Sequence, residues 1–570
     1  MGLTGYGSAA STVPAIIRGS GSRAALQPYR IQSWIAIEPL LLQVYPGGAR
    51  ARRPAEPPNR SERPRVVRVR AGGKGHNAAG TQRRMHGQIT REAVPMSGDL
   101  NQSFRGGGRS VEFLDEINAA SLVALVEAGV LPADAGGRIA RAIAELRARD
   151  AKAAPRTTAD YLDYEPRLVE IGGAEASRLH TGRSRQDLAS TLARMNLRDG
   201  LLREIDALCA AREAVLTVAK GHARTIIPTF THGVQAQPTT YAHYLLAVSA
   251  MLARNTERLC EAWPRVNVSP LGTAALATSS FPIDRDRLAE LLGFDALVVN
   301  AYDANQLASV DCAMEVACAL QILAVQAGQF AQDVHAPYAS PRPWLQLRTG
   351  ALTGVSSIMP QKRNPAAIEQ LRAQASLLLV ELQSVAMLSH NVRTGMFDYR
   401  MYDPVPSVRP VAVIDLIARV VEGLVVDPER ALAEVREDYS TTTEIADTLA
   451  RLEVPFRTGH HYASLLTDHG RSRGLQLHEI AFADAQRIYL EQTGTPLPLD
   501  EAKFREAISP EYMVFGRLGR GGPQPAEVQS MQDEQADAVA ATRRWLDTVR
   551  SRLARASRLR GAAFASIAAG

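Results

Sequence analysis

The sequence predicts an almost entirely α-helical protein organised around a bundle of long helices. Three observations carry this. Apolar residues recur at helical spacing through four long segments, 188–218, 239–263, about 308–334 and the stretch after Pro365. Proline and glycine punctuate the junctions between those segments. Period-two alternation is confined to short pieces, so strand signals are few. At 570 residues and 46% apolar, the chain can build a sizeable core, as several domains or as one large helical body with smaller caps.

Residues 1–95 are rich in Arg, Pro, Gly and Ser, a composition too poor in apolar surface to offset chain entropy, so disorder is expected there. They carry 15 Lys/Arg against 4 Asp/Glu, a balance of +11, whereas the whole chain is only +6 and the remainder therefore −5. The basic character belongs to this segment, and the folded body has no compositional case for binding nucleic acid. Three readings fit the segment: an arm for nucleic acid or an anionic surface, an organellar transit peptide, or sequence outside the functional protein. The third is preferred, because acid-balanced helical sequence begins after Met96, which with Met85 is a natural start.

The expected organisation is a basic extension at 1–95, an N-terminal helical domain at 96–205, a central bundle at 206–426 and a C-terminal helical domain at 427–570. From Val111 to Arg149 two packing helices are predicted, broken at Leu131-Pro132. The polar run His180-Thr181-Gly182-Arg183-Ser184-Arg185-Gln186-Asp187 then leads into a helix from Leu188 through Val218. It reads either as a solvated turn or, with its two arginines and nearby hydroxyls beside a helix start, as a dicarboxylate site. Pro228 to Pro238 separates that helix from the next and holds Thr231-His232. A lone histidine at such a junction is usually structural, yet loops held by rigid helices carry function, and histidine serves as acid or base near neutral pH.

After Asn300-Ala301-Tyr302-Asp303 comes the strongly apolar helix at about 308–334, then the stretch Thr353 to Arg372, the most informative in the chain. Gly354, Ser356 and Ser357 make a flexible polar loop, and Pro360 and Pro365 disfavour helix before them. Beyond Pro365, Ile368, Leu371, Ala375, Leu378 and Leu379 recur at helical spacing. Two serines, a lysine and an asparagine thus stand at a helix N-terminus, where free N–H groups and the dipole favour an anion. From Asp427 shorter helices follow, with a last one at about 524–557 and a frayed tail, GAAFASIAAG. No consecutive apolar run approaches the roughly 18 residues of a membrane span. The cysteines, Cys209, Cys260, Cys312 and Cys318, show no metal-ligand spacing and read as buried free thiols of a reducing cytoplasm.

The loop TGVSSIMPQKRNP resembles the signature loop of the fumarase/aspartase superfamily, a variant of GSSxMPxKxNP, with Val355 in place of a glycine. HTGRSRQD is similar to the HTGRSRND of argininosuccinate lyases, and THGVQAQP to their THxQxAQP, with Val234 at the first glutamine. The likeness continues through SPLGTAALA, FPIDR, NAYDA and TTTEIADTLARLEVPFRTGHH, covering roughly 110–480.

The resemblance implies the fumarase/aspartase-like fold and a carbon–nitrogen lyase of amino-acid biosynthesis, cleaving an N-succinyl compound, argininosuccinate first, to fumarate and an amine. It implies a cytoplasmic homotetramer whose active sites are shared between chains, with no metal or organic cofactor. Ser356 matches the general base, His232 the residue of acid-side or relay chemistry and Glu369 its partner. Lys362, Asn364, Arg185 and Thr231 match positions holding the succinyl carboxylates, with Ser357, Gln186 and Gln237 beside them. Three departures bear on the amine side. Gln186 replaces an asparagine, Val234 removes a polar side chain near His232, and Asn391–Arg400 departs from the family's YNKDMQEDK-like run. A related N-succinyl substrate, or addition of an amine to fumarate, is the alternative. The non-enzyme readings are a silent protein like the recruited lens crystallins, or a binding role for the basic arm.

Overall fold

The computed structural model describes residues 109–153, 159–396 and 409–570. The basic segment 1–95 and Phe397–Arg400 lie outside the described residues. Helices α1 (Ser110–Glu127) and α2 (Ala133–Asp150) divide at Pro132, as the proline demands. Next come α3 (Tyr161–Gly172) and α4 (Arg185–Lys220). Helix α4 begins three residues before Leu188. Ser184 and Asp187 form a capping box that satisfies its first amides.

The bundle continues with α5 (Tyr241–Val266), the short α6 (Arg285–Leu292) and α7 (Ala301–Gln306), then α8 (Ala308–Tyr338), α9 (Ala366–Ser389) and α10 (Arg409–Gly423). Side-chain bonds set the directions. Asn255 of α5 donates to Gln326 of α8 at 2.7 Å, and Arg265 to Glu315 at 2.7 Å, so α5 and α8 are antiparallel. Arg194, near the start of α4, donates to the Ala308 carbonyl that opens α8 at 2.8 Å, so those two run together. Tyr338, the last residue of α8, donates to the Arg363 carbonyl just before α9 at 2.8 Å, and α9 therefore runs back. The starts of α4 and α8 share one end of the bundle with the C-terminus of α9. The starts of α5 and α9 share the other.

By length and composition, α8 from Val310 and all of α9 are apolar enough to cross a membrane. Counting consecutive apolar residues overlooked them because widely spaced polar residues interrupt the run. Both pack into the bundle core, through Val316, Leu320 and Leu323 and through Leu371, Leu378 and Leu382.

The C-terminal helices are α11 (Pro428–Glu437), α12 (Thr442–Arg451), α13 (Phe456–Arg473), α14 (Phe482–Thr493), α15 (Glu501–Ala507), α16 (Pro510–Phe515) and α17 (Pro525–Ala569). The expected frayed tail is instead the last three turns of α17. Leu559, Phe564 and Ile567 pack against the core formed by Leu114, Ile117, Ile139 and Ile143. Alanine's helix propensity outweighs the single Gly561 once that apolar face has somewhere to dock.

Short antiparallel pairs pinch the loops that the sequence left irregular. Ile226–Ile227 pairs with Thr239–Thr240, Phe230–Thr231 with Val234–Gln235, and Gly354–Val355 with Arg363–Asn364. All four cysteines are free thiols, but only Cys209 and Cys312 are buried; Cys260 is half-buried and Cys318 exposed on α8, correcting the expectation that all are inside.

Candidate active site

At the end of the bundle where α4 starts, the HTGRSRQD run is fixed by buried polar bonds. Asp187 is fully buried and accepts from the amides of Ser184 at 2.9 Å, Gly272 at 3.1 Å and Ala274 at 3.2 Å. Burial raises its carboxyl to about 6 in spite of these donors. The Arg185 guanidinium is held by the carboxylate of Asp160, the N-cap of α3, whose side chain also accepts from the Leu162 amide at 3.0 Å. Gln186 donates to the Asn305 carbonyl at 3.2 Å, and the Asn305 amide donates to Thr273 Oγ1 and to the carbonyls of Ala274 and Ala275. His180 stacks on Tyr161 with ring centroids 4.5 Å apart, while Arg183 lies over the same tyrosine ring. Burial first, and the Arg183 charge second, push His180 down to about 4, so it is neutral at physiological pH.

The departing segment after α9 reaches this same end. The Tyr302 hydroxyl of α7 lies 3.3 Å from Thr394 Oγ1. Arg185 and Gln186 therefore share a neighbourhood with the segment Asn391–Met396.

The other motif residues stand at the opposite end. Thr231 and His232 occupy a hairpin whose two-residue turn, His232 and Gly233, has φ of 55° and 74°. Such turns require left-handed backbone at both central positions, which glycine takes freely and histidine tolerates. The His232 ring is exposed, as are Gln237 and Thr231. In the signature loop, the pairs Gly354↔Asn364 and Val355↔Arg363 make a second small hairpin. Val355, at the usual glycine position, points outward and is 81% exposed, so it is accommodated without a clash. Ser356 Oγ accepts the Met359 amide at 3.1 Å and lies at the edge of bonding range, 3.5 Å, from the Ile358 amide. Ser357, Lys362 and Glu369 are exposed, and Asn364 is half-buried.

With 36 residues at about 1.5 Å each, α4 holds these two groups roughly 54 Å apart within one chain. A single copy thus brings Arg185 together with Gln186, and sets Thr231, His232, Gln237, Ser356, Ser357, Lys362, Asn364 and Glu369 at the far end. His232 and Glu369 make no hydrogen bond to each other within the chain. Asp160 and Asn305, which orient Arg185 and Gln186, carried no local sequence signal. Asp187 did, in the Ser-x-x-Asp spacing of a capping box. Among the described residues no group of three His, Cys, Asp or Glu side chains is placed to hold a metal ion.

Residues 87–378 match the family described as Lyase, and 439–515 match the argininosuccinate lyase C-terminal family. The argininosuccinate lyase of Halobacterium salinarum is 35% identical over 450 residues, covering 77% of this chain and 90% of that protein. The chain belongs to the argininosuccinate lyase-like branch of the fumarase/aspartase superfamily. It is a carbon–nitrogen lyase that forms fumarate. Argininosuccinate lyase 2 of Agrobacterium fabrum is likewise 35% identical, covering 73% of this chain and 84% of that protein. Among solved structures, EDDS lyase in complex with formate superposes with a TM-score of 0.73 at 31% identity, covering 80% of this chain and 92% of that one. A β-carboxy-cis,cis-muconate cycloisomerase of Acinetobacter calcoaceticus, at 18% identity and a TM-score of 0.59 over 75% of this chain and 95% of its own, shares the fold. Arg185, Gln186, His232, Ser356 and Glu369 all fall inside the region the lyase family matches, whereas Thr394 lies beyond it.

Proposed function

We propose that this lyase cleaves argininosuccinate to arginine and fumarate, with Ser356 as the base. The observation that carries the assignment is the Met359 amide donating to Ser356 Oγ at 3.1 Å. A serine hydroxyl is a poor base in water, and a backbone N–H aimed at its oxygen favours the anion it must become. Ser356 takes the proton from the carbon beside a succinyl carboxylate. The freed electron pair spreads onto that carboxylate, then forms the C=C bond as the C–N bond breaks. The departing nitrogen takes a proton on the His232 side, with Glu369 supporting the imidazole. Lys362, Arg185, Asn364 and Thr231 hold the charged carboxylates, with Ser357, Gln186 and Gln237 lining the site.

A separation of roughly 54 Å between the two groups of residues favours a site assembled from several copies. Leu377, Val380 and Met387 of α9 form an exposed apolar stripe, as do Ile322 and Val325 of α8, and such faces are covered by partner helices. Copies packed antiparallel along these stripes bring the Arg185 end of one beside the Ser356 end of another. A cytoplasmic homotetramer with shared sites is the assembly proposed.

Asn391–Met396, which departs from the argininosuccinate lyase pattern, favours a second reading in which the amine is not arginine. The likeness to EDDS lyase at 31% identity is compatible with it. The deciding experiment is fumarate absorbance with the full chain and argininosuccinate, beside Ser356→Ala. Release that the variant loses by about 10²–10⁴-fold supports the first reading. A folded, tetrameric sample that releases none sinks it and leaves the second.

A further inference from the structure

We propose that Gln235 is a positioning residue for His232, fastening the histidine hairpin to the joint between α11 and α12. This rests on the reading of His232 given above. The hairpin has only two rungs, Phe230↔Gln235 and Thr231↔Val234, and a hairpin of that size does not hold its shape unaided. Apolar packing does not anchor its arms, since Phe230 is 48% and Val234 68% exposed. Gln235 supplies the missing anchor. Its Nε2 donates to Ser440 Oγ at 2.9 Å and to the Glu434 carbonyl at 3.3 Å.

The position of this glutamine follows from the sequence. Val234 sits where the related lyases carry their first glutamine, and the glutamine here comes one residue later. Neighbouring residues of a strand face opposite ways, so that single step turns the amide from the face Val234 presents to solvent toward the C-terminal helices. Below the hairpin the same helices grip the chain again. Ile226 packs with Val435 of α11 and Val514 of α16, and Arg224 lies 4.6 Å over the Phe515 ring. Among the described residues the bonds across the mouth of the hairpin are local, from the Ala236 amide to the Thr229 carbonyl at 2.7 Å and from the Thr229 hydroxyl to the Gln237 carbonyl. The aim of the imidazole is therefore set by the helices beyond Asp427 through the Gln235 amide.

The test uses the full chain carrying Gln235→Ala, Ser440→Ala or both, read by hydrogen–deuterium exchange over 228–238 and by steady-state kinetics. Exchange of the Ala236 amide is expected to rise about tenfold in Gln235→Ala and less in Ser440→Ala, whose partner keeps the Glu434 carbonyl. The double variant should match Gln235→Ala. In kinetics, kcat is expected to fall about tenfold and KM to rise by less, because the tether orients the proton-transferring His232 at the turn and, beside it on the same hairpin, the carboxylate-holding Thr231. Unchanged exchange overturns the tether, and altered exchange with wild-type kcat overturns the positioning role. If the wild-type chain releases no fumarate from any N-succinyl amine tried, the reading of the site has failed instead, and the exchange measurement still decides the tether.

Discussion

The Tyr302 hydroxyl and Thr394 Oγ1 stand 3.3 Å apart, joining the first turn of α7 to the loop that follows α9. Gly395 in that loop lies so close to Gln306 that a Cβ there would clash with its Oε1. The loop that departs from the argininosuccinate lyase pattern is thus seated on the element whose Asn305 carbonyl receives Gln186. Substitutions here should change what amine is accepted and leave fumarate binding alone. Tyr302→Phe and Thr394→Ala are each expected to shift the ratio of kcat/KM between two amine substrates a few-fold, the worth of one exposed hydrogen bond of about 0.5–1.5 kcal/mol. Competitive inhibition by fumarate should stay unchanged. A fumarate inhibition constant that moves with the amine ratio would argue against this division of the site.

Asp160 holds the Arg185 guanidinium from a position 8% exposed, where a charge-assisted bond is little screened. Asp160→Ala removes this charge-assisted bond from the arginine. We expect kcat/KM to drop roughly tenfold or more, corresponding to about 1.5–3 kcal/mol for a lost hydrogen bond to a charged group. Helix α3 also loses its cap, so thermal melting belongs beside the kinetics. Loss of activity equal to that of Leu168→Ala, which opens a cavity beneath α3 without touching Arg185, would show the effect to be unfolding alone.

Glu204 lies in the middle of α4, 1% exposed, and neither carboxylate oxygen has a hydrogen-bond partner among the described residues. Burial raises its carboxyl to about 8, with Arg203 opposing weakly. A folded-state value above the ordinary 4.5 means that the native protein binds the proton more tightly than the unfolded chain. The stabilising contribution is complete below about pH 4.5 and is lost as the pH rises to about 8. Glu204→Gln keeps the shape and removes the titration. Its melting temperature should match wild type near pH 4 and exceed it by several degrees at pH 9. A difference that does not grow with pH across that window refutes the assignment.

The long helices were legible because their apolar period is local and strong, and the three chemistry-bearing loops were legible because their residue order is distinctive. What the sequence hid is of another kind. The pairs that pinch the loops are two residues long, too short for alternation to register, so the Phe230–Gln235 and Gly354–Asn364 hairpins read as irregular chain. The bonds that orient the site join distant positions, Gln186 to Asn305 across 119 residues and Gln235 to Ser440 across 205. The closing GAAFASIAAG reads as a frayed tail because it lies at the chain end, and its docking face on α2 lies hundreds of residues away. Local pattern reveals elements, and only packing reveals which of their ends meet.

Which ends meet in the assembly is decided by complementation between chains. If each site takes its Arg185 end and its Ser356 end from different copies, two inactive variants can repair one another. Arg185→Ala and Ser356→Ala chains each spoil one end and leave the other intact. Refolded or exchanged together, they form mixed assemblies in which some sites draw an intact Arg185 from one chain and an intact Ser356 from another. We expect partial recovery of fumarate release from the mixture, absent from either variant alone and absent when the two changes sit in the same chain diluted with an Arg185→Ala partner. A site complete within one chain would show no recovery in any mixture, since no copy in it carries both residues. The roughly 54 Å length of α4 is why recovery is expected.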